Sequence, residues 1–489
     1  MKILLINPRI PVYKRVPSVP LGLLSIASYL NANGHEAVIV ERAVSNDSPE
    51  KKVNEFQPDV IGISAMSFLS SKDAKDVTLR LRKITSVPII WGGQAACGMP
   101  ELMFEEAMPD YIMDGEGELT WLDVADTLAR GGRIKEIEGL MYMHNGQLVR
   151  NPARAVADLS TFPDIDWSLV EPTQYFSSFF NCSKMLYLYA SKGCPAHCTF
   201  CSNSHFHQSK NRCRLASQVV RDIEYLSKNC GMDGVYFSDE LFCPRREIRT
   251  ELCNMLIEKN LGVVWGCQMR LGVLNEADVR LMYQAGCRWI LFGIESGNPD
   301  RIEKIKKNTD ISIARDTIKM CEDAGITVQA SFIIGFPDET EEEMRRTVSF
   351  ANSISADLTS MNILAPLPNS EITQELECNG TFRYPDSIRR CGKIESAVSD
   401  SVIINLSRVP DIDLKVVHYT FQWKCFASKD SVKHDSFGII KKMASDTFNR
   451  IFMHGFKGFV FGTVSSAKQF LTVFFYSHFF PAIRKKYNI

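Results

Sequence analysis

The chain has 489 residues, enough for two or three domains, and its 56 Lys and Arg stand against 57 Asp and Glu. That near balance excludes a global field drawing in nucleic acid, so no nucleic-acid partner is expected and a charged partner must be met by a local patch. Fifteen cysteines, an odd count in a large chain, speak against a disulfide framework, and no apolar run approaches the roughly 18 residues of a membrane-spanning helix.

The first residues, MKILLINPRIP, are too short an apolar stretch for a signal peptide and lack a small-residue cleavage site. They form the first strand of a chain expected to be cytoplasmic. From there to about Gly132, short apolar strands at Ile3–Ile6, Ala37–Val40, Val60–Ile63, Pro88–Trp91 and Tyr111–Met113 alternate with helical segments. This is the rhythm of an open, doubly wound parallel sheet. Ligands of such sheets bind beyond the strand carboxyl ends, here Asn7-Pro8, Ser64-Ala65, Gly92-Gly93-Gln94 and Asp114 to Glu118.

Residues 138 to 180 break the alternation with a hairpin at Asn145-Gly146 and a connector containing Pro152, Pro163 and Pro172. Strands then recur at Leu186–Ala190, Gly234–Ser238, Val263–Cys267, Trp289–Ile294, Val328–Ile334 and Leu358–Leu364. Helical stretches such as Ser217–Asn229, Arg246–Asn260, Glu276–Ala285, Ser312–Ala324 and Glu339–Ser353 separate them. Six βα units fall short of a closed barrel and predict an open (βα)6 partial TIM barrel, active at its strand C-termini. The predicted boundaries are a Rossmann-like, flavodoxin-like domain over 1–135, a linker over 136–180, the partial barrel over 181–405 and a mainly helical extension over 406–489.

The extension ends in an aromatic and basic stretch. Lys441, Lys442, Arg450, Lys457, Lys468, Arg484, Lys485 and Lys486 stand against Asp446, and Phe470, Leu471, Val473, Phe474, Phe475, Phe479 and Phe480 supply apolar surface. Two readings stay open: aromatics packed on the barrel's open bottom, which packing frequencies favour, or peripheral contact with an anionic membrane or a lipid.

The chemistry concentrates in Ser191-Lys192-Gly193-Cys194-Pro195-Ala196-His197-Cys198-Thr199-Phe200-Cys201, directly after the first strand of the second α/β region. Three thiolates from one loop can hold three irons of a [4Fe–4S] cubane and leave the fourth iron open. Zinc would require a fourth ligand, with Cys182, Cys213 or His205 as the candidates. The other twelve cysteines, Cys97, Cys253 and Cys321 among them, are read as packed thiols.

This arrangement resembles the radical S-adenosylmethionine (SAM) superfamily, in the branch with an N-terminal cobalamin-binding domain, over about the first 400 residues. The resemblance implies that the open iron chelates SAM, whose reductive cleavage gives a 5′-deoxyadenosyl radical. It assigns SAM contacts to Phe200, to Asp239 and Glu240 after strand two, Gln268 and Arg270 after strand three, Glu295 after strand four and Gly335 after strand five. In the first domain it assigns cobalamin contacts to Leu21, Gly22, Ser64, Gly92, Gly93, Gly115 and Glu116, small residues letting the corrin approach the backbone. His35 is the only histidine before residue 140, so bound cobalamin would lack a histidine ligand from this domain.

The implied activity is cobalamin-dependent methylation of an unactivated carbon in a lipid, natural product or other metabolite, with an electron donor such as flavodoxin or ferredoxin. The alternatives are radical cyclisation, ring rearrangement or carbon–carbon coupling without methyl transfer, and, in another class, a zinc-stabilised binding protein. Methylthiolation of transfer RNA would need a second cluster on N-terminal cysteines, where only Cys97 is found.

Overall fold

The computed structural model describes residues 1–10, 18–45, 47–179, 182–397, 404–428, 472, 475, 476 and 478–489. By compactness the chain divides into two units. One holds the described residues up to Val264 together with Pro366–Ser396, and the other holds Trp265–Ala365 and the described residues from Ala397 onward. The sequence boundaries follow the rhythm of elements, whereas compactness follows packing, and the two divisions differ.

The first unit opens with β1 (Lys2–Asn7), α1 (Leu21–Ala32), β2 (Glu36–Glu41), α2 (Pro49–Phe56), β3 (Val60–Ser64), α3 (Phe68–Leu81) and β4 (Ile89–Gly92). It continues with α4 (Gln94–Gly98), α5 (Pro100–Ala107), β5 (Tyr111–Met113), α6 (Glu118–Ala129), β6 (Leu140–His144) and β7 (Gln147–Arg150). The sheet order is β2-β1-β3-β4-β5-β6-β7, and the first five strands are parallel. Ile3, Leu4, Leu5 and Ile6 are all fully buried, because helices cover both faces of a central parallel strand. Ser67 starts α3 with a reciprocal capping box to Ser70, satisfying donors that the first helical turn leaves unpaired. The β6–β7 hairpin pairs antiparallel with β5 and extends the sheet instead of lying in a connector.

After short helical turns at Leu159–Thr161, Trp167–Leu169 and Pro172–Tyr175 come β8 (Ser177–Phe179), β9 (Cys182–Leu188) and β10 (Ser191–Lys192). Then follow α7 (Asn203–Phe206), β11 (Arg212–Cys213), α8 (Ala216–Cys230), β12 (Gly234–Phe237) and α9 (Arg246–Lys259). β9 and β12 are parallel, and β10 and β11 form a two-stranded antiparallel ribbon. In α8 the helical spacing of Val219, Val220, Ile223 and Leu226 gives the buried stripe, and the helix stops at Gly231 in the left-handed conformation.

The second unit carries β13 (Val264–Met269) from its second residue onward, α10 (Glu276–Gln284), β14 (Cys287–Glu295), α11 (Pro299–Lys304), α12 (Ala314–Asp323), β15 (Thr327–Ile334), α13 (Glu341–Ser353) and β16 (Leu358–Ile363). Its strands pair in parallel, β13 with β14, β14 with β15 and β15 with β16. The chain then returns to the first unit as α14 (Glu371–Cys378) and α15 (Ile388–Ala397), where Ile388 N donates to Glu106 at 3.1 Å. In the second unit α16 (Asp411–Ser428) packs on β16, with His418 Nδ1 2.6 Å from Met361 O. The final helix α17 (Pro481–Tyr487) docks on α13 and α16. The fold class is α/β, with a Rossmann-like N-terminal sheet, the six βα repeats of an open partial barrel and a helical C-terminal part, as the sequence predicts.

Of the aromatic and basic tail, Lys441, Lys442, Asp446, Arg450, Lys457, Lys468, Phe470, Leu471, Val473 and Phe474 lie outside the described residues. At its end Tyr487 is fully buried and donates to Asp413 at 2.9 Å, while Lys486 pairs with Glu341 at 2.5 Å and Asp413 at 2.7 Å. No described helix is long and apolar enough to cross a membrane.

Candidate functional site

The cysteine loop leaves β9 through the β10–β11 ribbon, whose register sets Ser191 against Cys213 and Lys192 against Arg212. Asp239, at the end of β12 and 1% exposed, accepts from Ala190 N at 3.1 Å, from Ser191 N and from Ser191 Oγ at 2.5 Å. Burial pushes its pKa up to about 7 against the pull of those hydrogen bonds. Glu240 accepts from Gly193 N at 2.8 Å. Both acids therefore hold the loop's backbone, and their carboxylates are engaged with protein groups.

Within the loop Cys198 is buried while Cys194 and Cys201 are partly exposed, and Cys201 N donates to Cys198 O at 3.1 Å across the turn. Thr199 O accepts from Ile372 N at 2.9 Å, so the first turn of α14 braces the loop. Phe200 is half-buried beside them. Among the described residues no three His, Cys, Asp or Glu side chains are gathered closely enough to hold a single ion. The donor set still fits a cubane, whose irons are bound one thiolate at a time by sulfurs spread along one turn.

The candidate fourth zinc ligands are committed elsewhere. Cys182 begins β9, a seven-residue strand spanning about 20 Å, whereas the loop follows its far end. Cys213 faces Asn211 Oδ1 at 3.6 Å and a hydrogen bond with Cys243, and His205 faces Asp114 at 3.5 Å.

Sequence reasoning missed His207 and Arg212, which bind Glu116 and Glu240 into a charged set beside this loop. His207 places Nδ1 2.6 Å from Glu116 Oε1 and Nε2 3.2 Å from Glu240 Oε1. Arg212 donates through Nη1 to Glu116 Oε2 at 2.7 Å and through Nη2 to Oε1. Burial disfavours the imidazolium, yet the bonds to Glu116 and Glu240 outweigh it and raise its pKa to about 9. Burial likewise opposes the Glu116 carboxylate, but Arg212, His207 and the charge of Lys192 lower its pKa to about 2. Alongside, Lys192 Nζ and Ser25 Oγ both lie 2.6 Å from Glu118 Oε1, and Gln94 donates to Asn203 at 2.9 Å. Apart from His207 with Glu240, these contacts join residues about 70 to 110 positions apart, so no local pattern could have announced them.

The residues assigned to cobalamin line the carboxyl ends of the first sheet. Leu21 and Gly22 begin α1, Ser64 ends β3, and Gly92 ends β4. A Cβ added at Gly22 would meet nothing within 4 Å, and one at Gly92 would meet only Met113 Cβ, at 3.9 Å. That open backbone suits the close approach of a flat macrocycle. Gly93 differs, because its φ of +105° and an added Cβ 2.8 Å from Ala65 C tie its identity to the β3 loop. Gly115 and Glu116 border a cavity of about 380 Å³ that Arg154, Phe162, Phe206 and Gln208 also line. His35, ahead of β2, is tied to Asp126 at 3.1 Å.

In the second unit Glu295 ends β14 in the left-handed region with φ +72°, and Lys307 Nζ lies 2.7 Å from its Oε1. Arg270 donates to Lys307 O and, at 3.2 Å, to Thr309 Oγ1. Gln268 is half-exposed near the end of β13. Gly335 N donates to the buried Glu339 at 2.5 Å, and Phe336 N to the same oxygen at 3.3 Å. Lys307 and Glu339 were not singled out by sequence.

A thiol loop after the first strand of a partial barrel, braced by a Rossmann-like domain, defines an iron–sulfur α/β protein with a nucleotide- or corrin-binding sheet. The family models match accordingly: the B12 binding domain over residues 15–125 and the radical SAM superfamily over residues 188–351. A methyltransferase of Pyrococcus horikoshii, described as uncharacterized, is 29% identical over 76% of this chain and 82% of its own length. An anaerobic magnesium-protoporphyrin IX monomethyl ester cyclase of Rubrivivax gelatinosus is 28% identical over 73% of this chain and 66% of its own. The radical SAM methyltransferase TsrM of Kitasatospora setae, solved with cobalamin and a [4Fe–4S] cluster, shares the fold. Its TM-score is 0.65 at 18% identity, over 78% of this chain and 76% of that one. The chain belongs to the radical SAM superfamily, with a B12-binding domain ahead of its radical SAM domain.

Proposed function

We propose that this radical SAM enzyme methylates an unactivated carbon of a small-molecule or lipid substrate, with cobalamin as the methyl carrier. The observation that carries the reading is the direct side-chain bonding of the cysteine loop to the β5–α6 glycine loop, through Glu116 with His207 and Arg212 and through Glu118 with Lys192. When bound, the cluster and SAM would supply a 5′-deoxyadenosyl radical and cobalamin a transferable methyl group. Cys194, Cys198 and Cys201 would hold the cluster, and Asp239 and Glu240 fix the backbone from which those sulfurs issue.

Leu21, Gly22, Ser64, Gly92, Gly93, Gly115 and Glu116 would form the cobalamin face, Gly22 and Gly92 by leaving backbone uncovered, Gly93 by its fit against the β3 loop and Glu116 by holding its own loop. Phe200, Gln268, Arg270, Glu295 and Gly335 would contact SAM. The electron would come from a flavodoxin or ferredoxin. The methyltransferase relatives support methyl transfer. The relative named a cyclase favours a second reading, radical cyclisation or rearrangement of substrate with no methyl added.

The test is anaerobic reconstitution with iron, sulfide, hydroxocobalamin, dithionite and SAM carrying a labelled methyl group. The expected result is 5′-deoxyadenosine together with label on cobalamin. Zinc without labile sulfide, or an intact cluster with no deoxyadenosine, overturns the radical reading. Deoxyadenosine with no label on cobalamin favours the second reading.

A further inference from the structure

We infer that His207 is a positioning residue that sets the turn at Gly193–Cys194 against the β5–α6 loop. The inference rests on the cluster assignment above. The imidazole is suited to this because its two nitrogens point in opposite directions, and only the doubly protonated ring donates to a carboxylate on each side at once. One side is Glu116, in the loop that carries Gly115. The other is Glu240, whose second oxygen accepts from Gly193 N at 2.8 Å, one residue ahead of Cys194. The chain of contacts therefore runs from the glycine loop of the B12 domain to the backbone beside a cluster ligand.

The charges inside the set balance, with Glu116 and Glu240 against His207 and Arg212, and the side chains of His207 and Glu116 are each only 8% exposed. Removing the imidazolium leaves the half-buried Glu240 without its counter-ion. A carboxylate so placed turns toward water, and that movement slackens its hold on Gly193 N. The Lys192–Glu118 and Arg212–Glu116 contacts still join the same two segments. The loss of His207 is thus felt in the geometry of the cysteine turn and not in whether the segments dock.

The test uses the full chain, reconstituted anaerobically, as wild type and His207→Gln. It reads iron and sulfide content, the electron paramagnetic resonance spectrum of the dithionite-reduced cluster, and the change in that spectrum as SAM is added. Wild type is read first: a cluster whose spectrum ignores SAM defeats the radical SAM reading itself, independently of His207. Given a SAM-responsive wild type, His207→Gln is expected to bind the full iron complement. Its reduced spectrum should be altered or split into several species, and half-maximal response should need about tenfold more SAM, the coupling expected between contacting groups. A spectrum and SAM response matching wild type overturn the inference. Should His207→Gln purify without a cluster, Glu240→Gln decides, because its amide oxygen still accepts from Gly193 N while the charge is gone. The same altered spectrum then supports the role, and an unaltered one overturns it.

Discussion

At position 193 the backbone has φ +82°, and an added Cβ would stand 2.2 Å from Lys210 O and 2.9 Å from His207 Cβ. Neither neighbour can give way cheaply, since one is main chain and the other is held by two carboxylates. Gly193→Ala should therefore cost about 2 kcal/mol or more in urea unfolding and lower the iron bound per chain. Unchanged unfolding would show that the turn is looser than described. His207 gives a second expectation, in pH. Its folded pKa, about 9, lies above the ordinary 6.5, so the stability it contributes is fully present below pH 6.5 and is lost as pH rises through 9. The shift corresponds to about 3 kcal/mol. Glu116 acts in the opposite sense, its contribution present above the ordinary 4.5 and lost only as pH falls through about 2. The groups facing the ring are Glu116 and Glu240, with Arg212 beyond. Unfolding free energy should thus fall between pH 6.5 and 9 in wild type, and His207→Gln should flatten that slope.

Among the elements, α17 is short and closely held. Tyr487 is fully buried and bonded to Asp413, and Arg345 Nε donates to Lys486 O at 3.2 Å. Tyr487→Ala should destabilise by about 3 to 4 kcal/mol, as removal of a buried aromatic does, and Tyr487→Phe by about 1 kcal/mol for the lost hydrogen bond. Equal small losses from both would mean that the ring is not in the core. This docking could not be read from the tail's composition, which fits an interfacial helix as well as a packed one. The parallel strands were legible for the opposite reason: the apolar run Ile3–Ile6, buried on both faces, and the alternating stretch Val328–Ile334 are each bounded by polar or glycine-rich turns. The hairpin at Asn145-Gly146 was legible as a turn, but its pairing with β5 depends on an edge that only the folded sheet presents. The site divides in the same way. The spacing of Cys194, Cys198 and Cys201 is local chemistry, whereas His207 meets Glu116 across 91 positions. Even Lys307, twelve residues from Glu295, has no periodicity to mark it.

At the scale of the whole molecule, the question is whether the first sheet still takes cobalamin, and its glycines separate ligand binding from folding. Gly92 ends β4 with the nearest neighbour of an added Cβ 3.9 Å away, so a side chain there is accommodated by the folded protein while it fills the surface a corrin would cover. Gly93 is the contrast, because a Cβ there would run into the backbone of Ala65 and Met66 at 2.8 to 2.9 Å whether or not a ligand is present. Hydroxocobalamin at about a hundred times its Kd should stabilise the wild-type chain by about 2.7 kcal/mol, seen as a rise in Tm. Gly92→Val should keep the ligand-free Tm and lose the rise. Gly93→Ala should lower the ligand-free Tm itself, by strain in the β3 loop. A wild-type chain whose Tm ignores hydroxocobalamin would mean that the sheet keeps the B12-binding fold without the ligand. Methyl transfer would then fall, while the radical chemistry assigned to the cysteine loop, which depends on none of these glycines, would stand.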